Sequence, residues 1–113
     1  MNELQKQKKV KIVNLTPHEI TDAESGLSFS PSGQVARVAT VIEKREKIGG
    51  IQLYSRSFGQ VIDLPEPQLN TFYIVSALVF EAAKNRQDLL APGELVRDQK
   101  GQPIGCKGFI KRG

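Results

Sequence analysis

The sequence predicts an α+β protein: a mostly antiparallel, curved sheet or a small open β-barrel of about seven to eight short strands, with one central helix. Two observations predict this class. The most apolar run, residues 71–86, begins β-branched and aromatic and then becomes rich in Ala and Leu, which is typical of a strand followed by a helix. The rest of the chain consists of short alternating segments separated by turns that contain Gly or Pro, as in proteins built from short strands.

The central strand and helix have a local signal at their junction. Ser76 lies there, and a serine hydroxyl can accept an amide proton from the first turn of a helix. We therefore place a strand at 71–75 and the helix at about 77–86. The other expected extended segments are residues 10–15, 19–22, 27–29, 34–42, 51–56, 61–64, 94–98 and 103–110. Turns are expected between them, including residues 43–50, 57–60 and 91–93.

A chain of 113 residues forms one domain with a core of modest size. The single cysteine, Cys106, excludes an intramolecular disulfide, and one Cys with one His does not make a zinc ligand set. We expect no metal and no cofactor. The polar N-terminus lacks the apolar stretch of a signal peptide, and no apolar run approaches the roughly 20 residues of a membrane span. A cytoplasmic protein with no membrane partner is therefore expected.

The net charge of +4 is concentrated at the chain ends. Residues 1–9 carry a balance of +2 and residues 107–112 a balance of +3, whereas residues 10–106 carry ten basic and eleven acidic side chains. Residues 1–9 also lack aromatic side chains, which predicts a disordered basic tail before a single α+β domain at 10–113. A nucleic-acid-binding accessory protein that uses the basic termini is therefore an alternative, although such proteins usually carry a basic patch on the folded surface.

Several short motifs together resemble a family of small uncharacterised proteins from bacteria, prophages and bacteriophages. The resemblance covers roughly residues 10–110 and rests on Asn14-Leu15-Thr16-Pro17-His18, Pro31-Ser32-Gly33, Leu64-Pro65-Glu66-Pro67, Tyr73-Ile74-Val75-Ser76, Val96-Arg97-Asp98 and Gly105-Cys106. No activity is assigned to that family, so no residue role is carried over. The resemblance implies a phage or mobile-element setting, and hence the cytoplasm of a host cell. By analogy, small phage proteins of this kind often counter host defences, including by sequestering nucleotide signals.

The first candidate ligand site is the turn from Ser30 through Ser32 and Gly33, which leads into a strand that carries Arg37. A tight Ser/Gly turn can direct successive backbone amides and hydroxyls at an anion. An arginine a few residues further on can grip a phosphate through two charge-assisted hydrogen bonds. The alternative is an ordinary turn, which this composition also predicts.

The second candidate combines Arg86 and Asp88, after the helix, with Arg97 and Asp98 in the last hairpin. Neighbouring charges on a strand point to opposite faces, and a charge that is buried must be paired. These residues therefore form either a polar ligand pocket or a structural network of ion pairs that ties the helix end to the hairpin. Tyr73 adds a ring that either stacks on a base or serves the core.

Two residues carry side chains suited to acid–base or nucleophilic chemistry. A histidine side chain can serve as an acid or a base, and His18 is therefore either an acid–base group or a hydrogen-bonded structural residue beside a proline turn. The Cys106 thiol, next to Lys107, is either a reactive group or a small buried hydrophobe. An enzyme using either residue is a third hypothesis, but the sequence supplies no third orienting group.

These observations favour a non-catalytic protein that binds a small phosphorylated or nucleotide-type ligand. In a phage setting, the expected role is the sequestration of a nucleotide immune signal. A homo-oligomer is expected as well, because apolar residues wrap most of the circumference of the helix at 77–83. The predicted contact is near Val79, Phe80 or Ala83. The alternative is that the chain's own loop, residues 87–95, covers the helix.

Overall fold

The computed structural model describes residues 10–113, and the predicted tail at 1–9 lies outside them. Residues 10–113 form eight strands and one short helix, so strands dominate, in agreement with an α+β composition. The elements are β1 (Lys11–Asn14), β2 (Ile20–Thr21), β3 (Ser28–Phe29), β4 (Arg37–Ile48), β5 (Ile51–Ile62), β6 (Thr71–Ile74), α1 (Ala77–Ala82), β7 (Leu89–Arg97) and β8 (Pro103–Lys111). No helix in this part of the chain is long and apolar enough to span a membrane.

The main sheet has the strand order β1-β6-β7-β8. β6 pairs in parallel with both β1 and β7, and only β7 and β8 are antiparallel. Three of the five strand pairings of the described chain are antiparallel, as expected, but in the main sheet only β7 and β8 pair in this way. The reason is that α1 connects β6 to β7 as a crossover, which returns the chain in the same direction. The strands form separate open sheets that do not close into a barrel, so the alternative of a small open β-barrel is not formed.

α1 begins as predicted and ends earlier. The Ser76 Oγ accepts a hydrogen bond from the Val79 amide at 3.2 Å, which confirms the expected N-cap. The helix ends at Ala82 instead of residue 86. The Arg112 guanidinium donates to the carbonyls of Phe80 at 2.7 Å and Ala83 at 3.0 Å, so the end of the chain satisfies groups that another helical turn would otherwise pair.

The core lies between α1, the main sheet and the start of β4. Its buried apolar residues are Leu15, Ala36, Tyr73, Val75, Val79 and Leu89. Val79 is 1% exposed, which places it in the chain's own core and not at a contact with a second copy. Leu89 belongs to the same core cluster as Val79, so the expected segment 87–95 covers part of α1, although it is strand from Leu89 onward. Val38 and Val61 from β4 and β5 also pack against this core and cover another part.

β4 and β5 form a long two-stranded arm, which we call the β-arm (residues 37–62). Each strand has 12 residues, and Gly49 and Gly50 turn the chain with positive φ. The turn predicted at 57–60 is a continuous part of β5 with a register shift, and the charged stretch at 43–47 is strand. The radius of gyration is 17.4 Å, compared with about 13 Å for a compact chain of this length.

The turn predicted at 91–93 is also wrong, because these residues lie inside β7. Gly93 is required there by close packing: a β-carbon at this position would collide with the carbonyl oxygen of Lys107 on β8. A glycine in a strand interior marks such a close approach of backbones.

Candidate ligand-binding site

Asn14, at the end of β1, organises the loops around the candidate site. Its side chain is 2% exposed and fully hydrogen-bonded. The Nδ2 group donates to the carbonyls of His18 at 2.8 Å and Phe29 at 2.9 Å. The Oδ1 atom accepts from the amide of Thr16 at 2.9 Å and from its hydroxyl at 2.7 Å. The segment from Asn14 to His18 is therefore held in a turn by hydrogen bonds to the Asn14 side chain, and His18 contributes its carbonyl to them.

The sequence interpretation did not nominate Asn14, although a signal for it was present. An asparagine that ends a strand and is followed by Thr and Pro is typical of a turn in which the side chain replaces a backbone hydrogen bond. His18, which was nominated, has an exposed side chain.

The turn at Ser30–Gly33 is attached to Asn14 as well. The Ser32 amide donates to the Asn14 carbonyl at 2.9 Å, and Gly33 has a φ of 100°. The Ser32 hydroxyl lies 3.3 Å from the Gln34 carbonyl. Because the Ser32 amide is already engaged, it does not point at an anion. The turn instead positions the chain that leads into β4.

Arg37 begins β4 beside a small cleft. The Ala36 amide donates to the Leu15 carbonyl at 3.1 Å, which holds the start of β4 against the loop that follows β1. The resulting Arg37 cleft has a volume of about 230 Å³. Its lining residues are Leu15, Thr16, Pro17, Val35, Ala36, Arg37, Val38, Ser76, Leu78 and Val79. Arg37 is exposed, and within residues 10–113 its guanidinium makes neither a hydrogen bond nor an ion pair.

Ser76 is the second polar group suited to a ligand in the Arg37 cleft. Its Oγ accepts the Val79 amide as the cap of α1, which leaves the hydroxyl proton for an acceptor in the cleft. The hydroxyl proton of Thr16, by contrast, is used on Asn14. The cleft is therefore lined by one arginine and one serine that can donate to a ligand, against a largely apolar wall.

Arg86 lies elsewhere and is engaged in a structural ion pair. Its Nε and Nη2 atoms donate to the two carboxylate oxygens of Asp88 at 2.9 and 2.8 Å, and Nη2 donates to the Pro65 carbonyl at 2.7 Å. The hydrogen bond with Asp88 raises the pKa of Arg86, and the same contact lowers the pKa of Asp88. These contacts tie the segment after α1 to the connector before β6.

Arg97 and Tyr73 are also placed away from the Arg37 cleft. The Arg97 Nη1 donates to the Gly101 carbonyl at 2.7 Å, and Asp98 accepts the amides of Lys100 and Gln102, so these charges shape the β7–β8 turn. Tyr73 is buried in the core. Of the nominated residues, the structure thus brings Arg37, the Ser30–Gly33 turn and His18 around the Asn14 loops. It buries Tyr73 in the core next to β1 and places Arg86 and Arg97 elsewhere.

A second cavity, of about 300 Å³, lies between β2, β7 and β8. Its wall is mainly apolar, with contributions from Ile20, Leu95, Ile104 and Cys106, and its charged lining residue is Glu19. A carboxylate at the wall disfavours an anionic ligand. The buried Cys106 thiol donates to the Gly108 carbonyl at 3.4 Å, within its own strand.

No protein-family model, curated protein or solved structure matches this chain. Within residues 10–113, no group of three or more His, Cys, Asp or Glu side chains is arranged to hold a metal ion. The functional argument therefore rests on the geometry of the Arg37 cleft and on the distribution of charge.

Proposed function

We propose that this protein is a non-catalytic binding protein for a small phosphorylated or nucleotide-type ligand, held in the Arg37 cleft. One observation carries the proposal: Arg37, whose guanidinium has no protein partner among residues 10–113, lines a cleft that Ser76 also lines. A guanidinium binds a phosphate through two parallel charge-assisted hydrogen bonds, which is the strongest contact available to such a site.

The size of the cleft limits what it holds. A volume of about 230 Å³ is smaller than the roughly 300–1,000 Å³ of pockets that enclose drug-sized ligands. It accommodates a phosphoryl group and the sugar next to it. The exposed faces of Pro17 and Leu78 then supply apolar surface for the rest of the ligand.

The proposal includes self-association and a phage setting. The resemblance to phage and prophage proteins supports the sequestration of a nucleotide signal of host immunity as the biological purpose, in the cytoplasm of the host.

A thermal-shift screen with cyclic nucleotides, ADP-ribose-type nucleotides and inorganic phosphate tests the proposal. A ligand present at 100 to 1,000 times its dissociation constant stabilises the folded protein by about 2.7–4.1 kcal/mol. Arg37→Gln is expected to abolish the shift. Arg45→Gln, the same change at an exposed arginine of the β-arm, is expected to preserve it. No shift with any of these compounds, or an equal loss in both variants, would contradict the proposal.

A further inference from the structure

The register of the β-arm separates its charges by face. In an antiparallel pair, residues directly opposite each other lie on the same face, and successive residues alternate between faces. Lys44 pairs with Tyr54, and Lys47 pairs with Gln52. Arg56, two residues from Tyr54, lies on that face as well. This basic face, defined by Lys44, Lys47 and Arg56, contains no acidic residue.

A bulge in β4 creates the basic face. Lys44 and Lys47 are three residues apart, and a regular strand would place them on opposite faces. The register shift between them sets two residues of β4 against one of β5, so that both lysines lie opposite even-numbered residues of β5. The residues taken up by the bulge, Arg45 and Glu46, form an ion pair with each other at 3.8 Å.

The acidic residues of the β-arm lie away from the basic face. Glu43 pairs with Ser55, on the opposite side of the ribbon, and Glu46 lies in the bulge beside Arg45. The β-arm as a whole has five basic and two acidic side chains, a balance of +3, whereas the rest of residues 10–113 has eight basic and nine acidic, a balance of −1. Within the described chain, the β-arm is therefore one of two segments with a balance of +3, the other being residues 107–112, and the residues outside both have five basic and nine acidic side chains.

We propose that the β-arm binds double-stranded DNA, with its basic face towards the phosphates. The two strands lie about 5 Å apart and extend about 40 Å. The major groove of B-form DNA is about 12 Å wide and admits a two-stranded β-ribbon. The major groove of duplex RNA is deep and narrow and does not admit one. Tyr54 and Phe58, on the same face, add apolar surface between the cations.

The expected strength of salt dependence follows from the three cations. Each phosphate neutralised by a protein cation contributes about −0.9 to the slope of log affinity against log salt, so three contacts contribute about −2.7. Raising NaCl fourfold, from about 50 to about 200 mM, then weakens binding by about 40-fold through these contacts alone.

Fluorescence anisotropy of the full-length protein with a labelled DNA duplex of about 20 base pairs tests this proposal. The variant Lys44→Gln/Lys47→Gln/Arg56→Gln is expected to bind at least about tenfold more weakly at low salt and to lose most of the slope. These side chains project from an arm, and the thermal unfolding temperature checks that the fold is retained. If the triple variant does not fold, Lys44→Gln alone decides the point, because it should reduce the slope by about 1.

Two controls remove the same number of charges elsewhere. Lys84→Gln/Lys100→Gln/Lys107→Gln alters three exposed lysines outside the β-arm, and Lys6→Gln/Lys8→Gln/Lys9→Gln alters the N-terminal segment. Both are expected to change the affinity much less than the β-arm variant. An equal loss in either control would overturn the proposal, as would absent binding of duplex DNA, or duplex RNA bound as tightly as DNA.

Discussion

Replacing Asn14 with alanine is expected to destabilise the protein strongly, because one buried side chain makes four hydrogen bonds. After the substitution, the Thr16 hydroxyl can turn to the His18 carbonyl, which lies 3.1 Å away. The Thr16 amide then has no partner, and the Phe29 carbonyl keeps only the hydrogen bond of its pairing with Ile20. A buried polar group left unpaired costs about 1–3 kcal/mol and a lost hydrogen bond about 0.5–1.5 kcal/mol, so the expected loss is about 1.5–4.5 kcal/mol.

Urea unfolding followed by circular dichroism measures this loss, with Asn85→Ala as the matched control at an exposed position. Asn14→Asp separates hydrogen bonding from packing. It conserves the shape and the accepting oxygen but turns a second oxygen towards the carbonyls of His18 and Phe29, and it should destabilise at least as much as alanine. A loss below about 1 kcal/mol for Asn14→Ala would refute the reasoning, because one unpaired buried group already costs that much.

Three further predictions follow from contacts between distant parts of the chain. Arg112→Ala should lower the free energy of unfolding, measured in urea, by about 1.5–3 kcal/mol. The substitution removes the charged cap of α1 and the contact of the guanidinium with the Phe80 ring at 4.0 Å, and Arg112→Lys should recover only part of the loss. Gly93→Ala should destabilise far more than Gly59→Ala, whose added methyl group meets only ordinary contacts, in the same assay. Hydrogen bonds from the Ser25 hydroxyl and a backbone amide lower the pKa of Asp22 to about 2. The contribution of the Asp22 carboxylate to stability is therefore complete above the ordinary pKa of 3.8 and is lost as the pH falls towards 2. The free energy of unfolding, measured at several pH values, should fall less steeply with acid in Asp22→Asn than in the wild type.

Local signals accounted for the elements that were predicted well. The strand at 71–74 and the Ser76 cap depend on a short apolar run and on one side chain beside its own helix, so the sequence near them contains the information. The β-arm was only partly predicted, because the alternation of 34–42 and 51–56 was visible but the charges at 43–47 were interpreted as the end of a hairpin. Charged residues are compatible with a strand when neither face of the ribbon is buried, as in most of the β-arm.

The features that were not predicted depend on partners far apart in the chain. Arg112 caps a helix about 30 residues earlier, and nothing near Arg112 indicates this. The same applies to the parallel pairing of β1 with β6, which joins segments separated by roughly 60 residues. For the candidate site, sequence could nominate arginines as phosphate ligands but could not tell Arg37, which has no partner among residues 10–113, from Arg86, which Asp88 and Pro65 already hold.

Self-association is the remaining prediction, and the β-arm changes where the contact is expected. Ile48 and Ile51 are 62% and 66% exposed and pair with each other next to the turn of the arm, on the face opposite the basic residues. A two-stranded ribbon alone is only marginally stable in water, so we expect a ribbon with exposed isoleucines to gain stability from apolar contact with another surface.

We expect light scattering at micromolar protein concentration to show a homodimer or higher oligomer. Ile48→Glu/Ile51→Glu should shift the mass towards the monomer, because it places two charges in the apolar contact. Leu69→Glu is the control, since Leu69 is 90% exposed and lies outside the β-arm, and it should leave the mass unchanged. A wild-type monomer would show that residues 10–113 cover their helix without help and that the exposed isoleucines have no partner in another copy. If the double variant remains an oligomer, the contact between copies lies outside the β-arm.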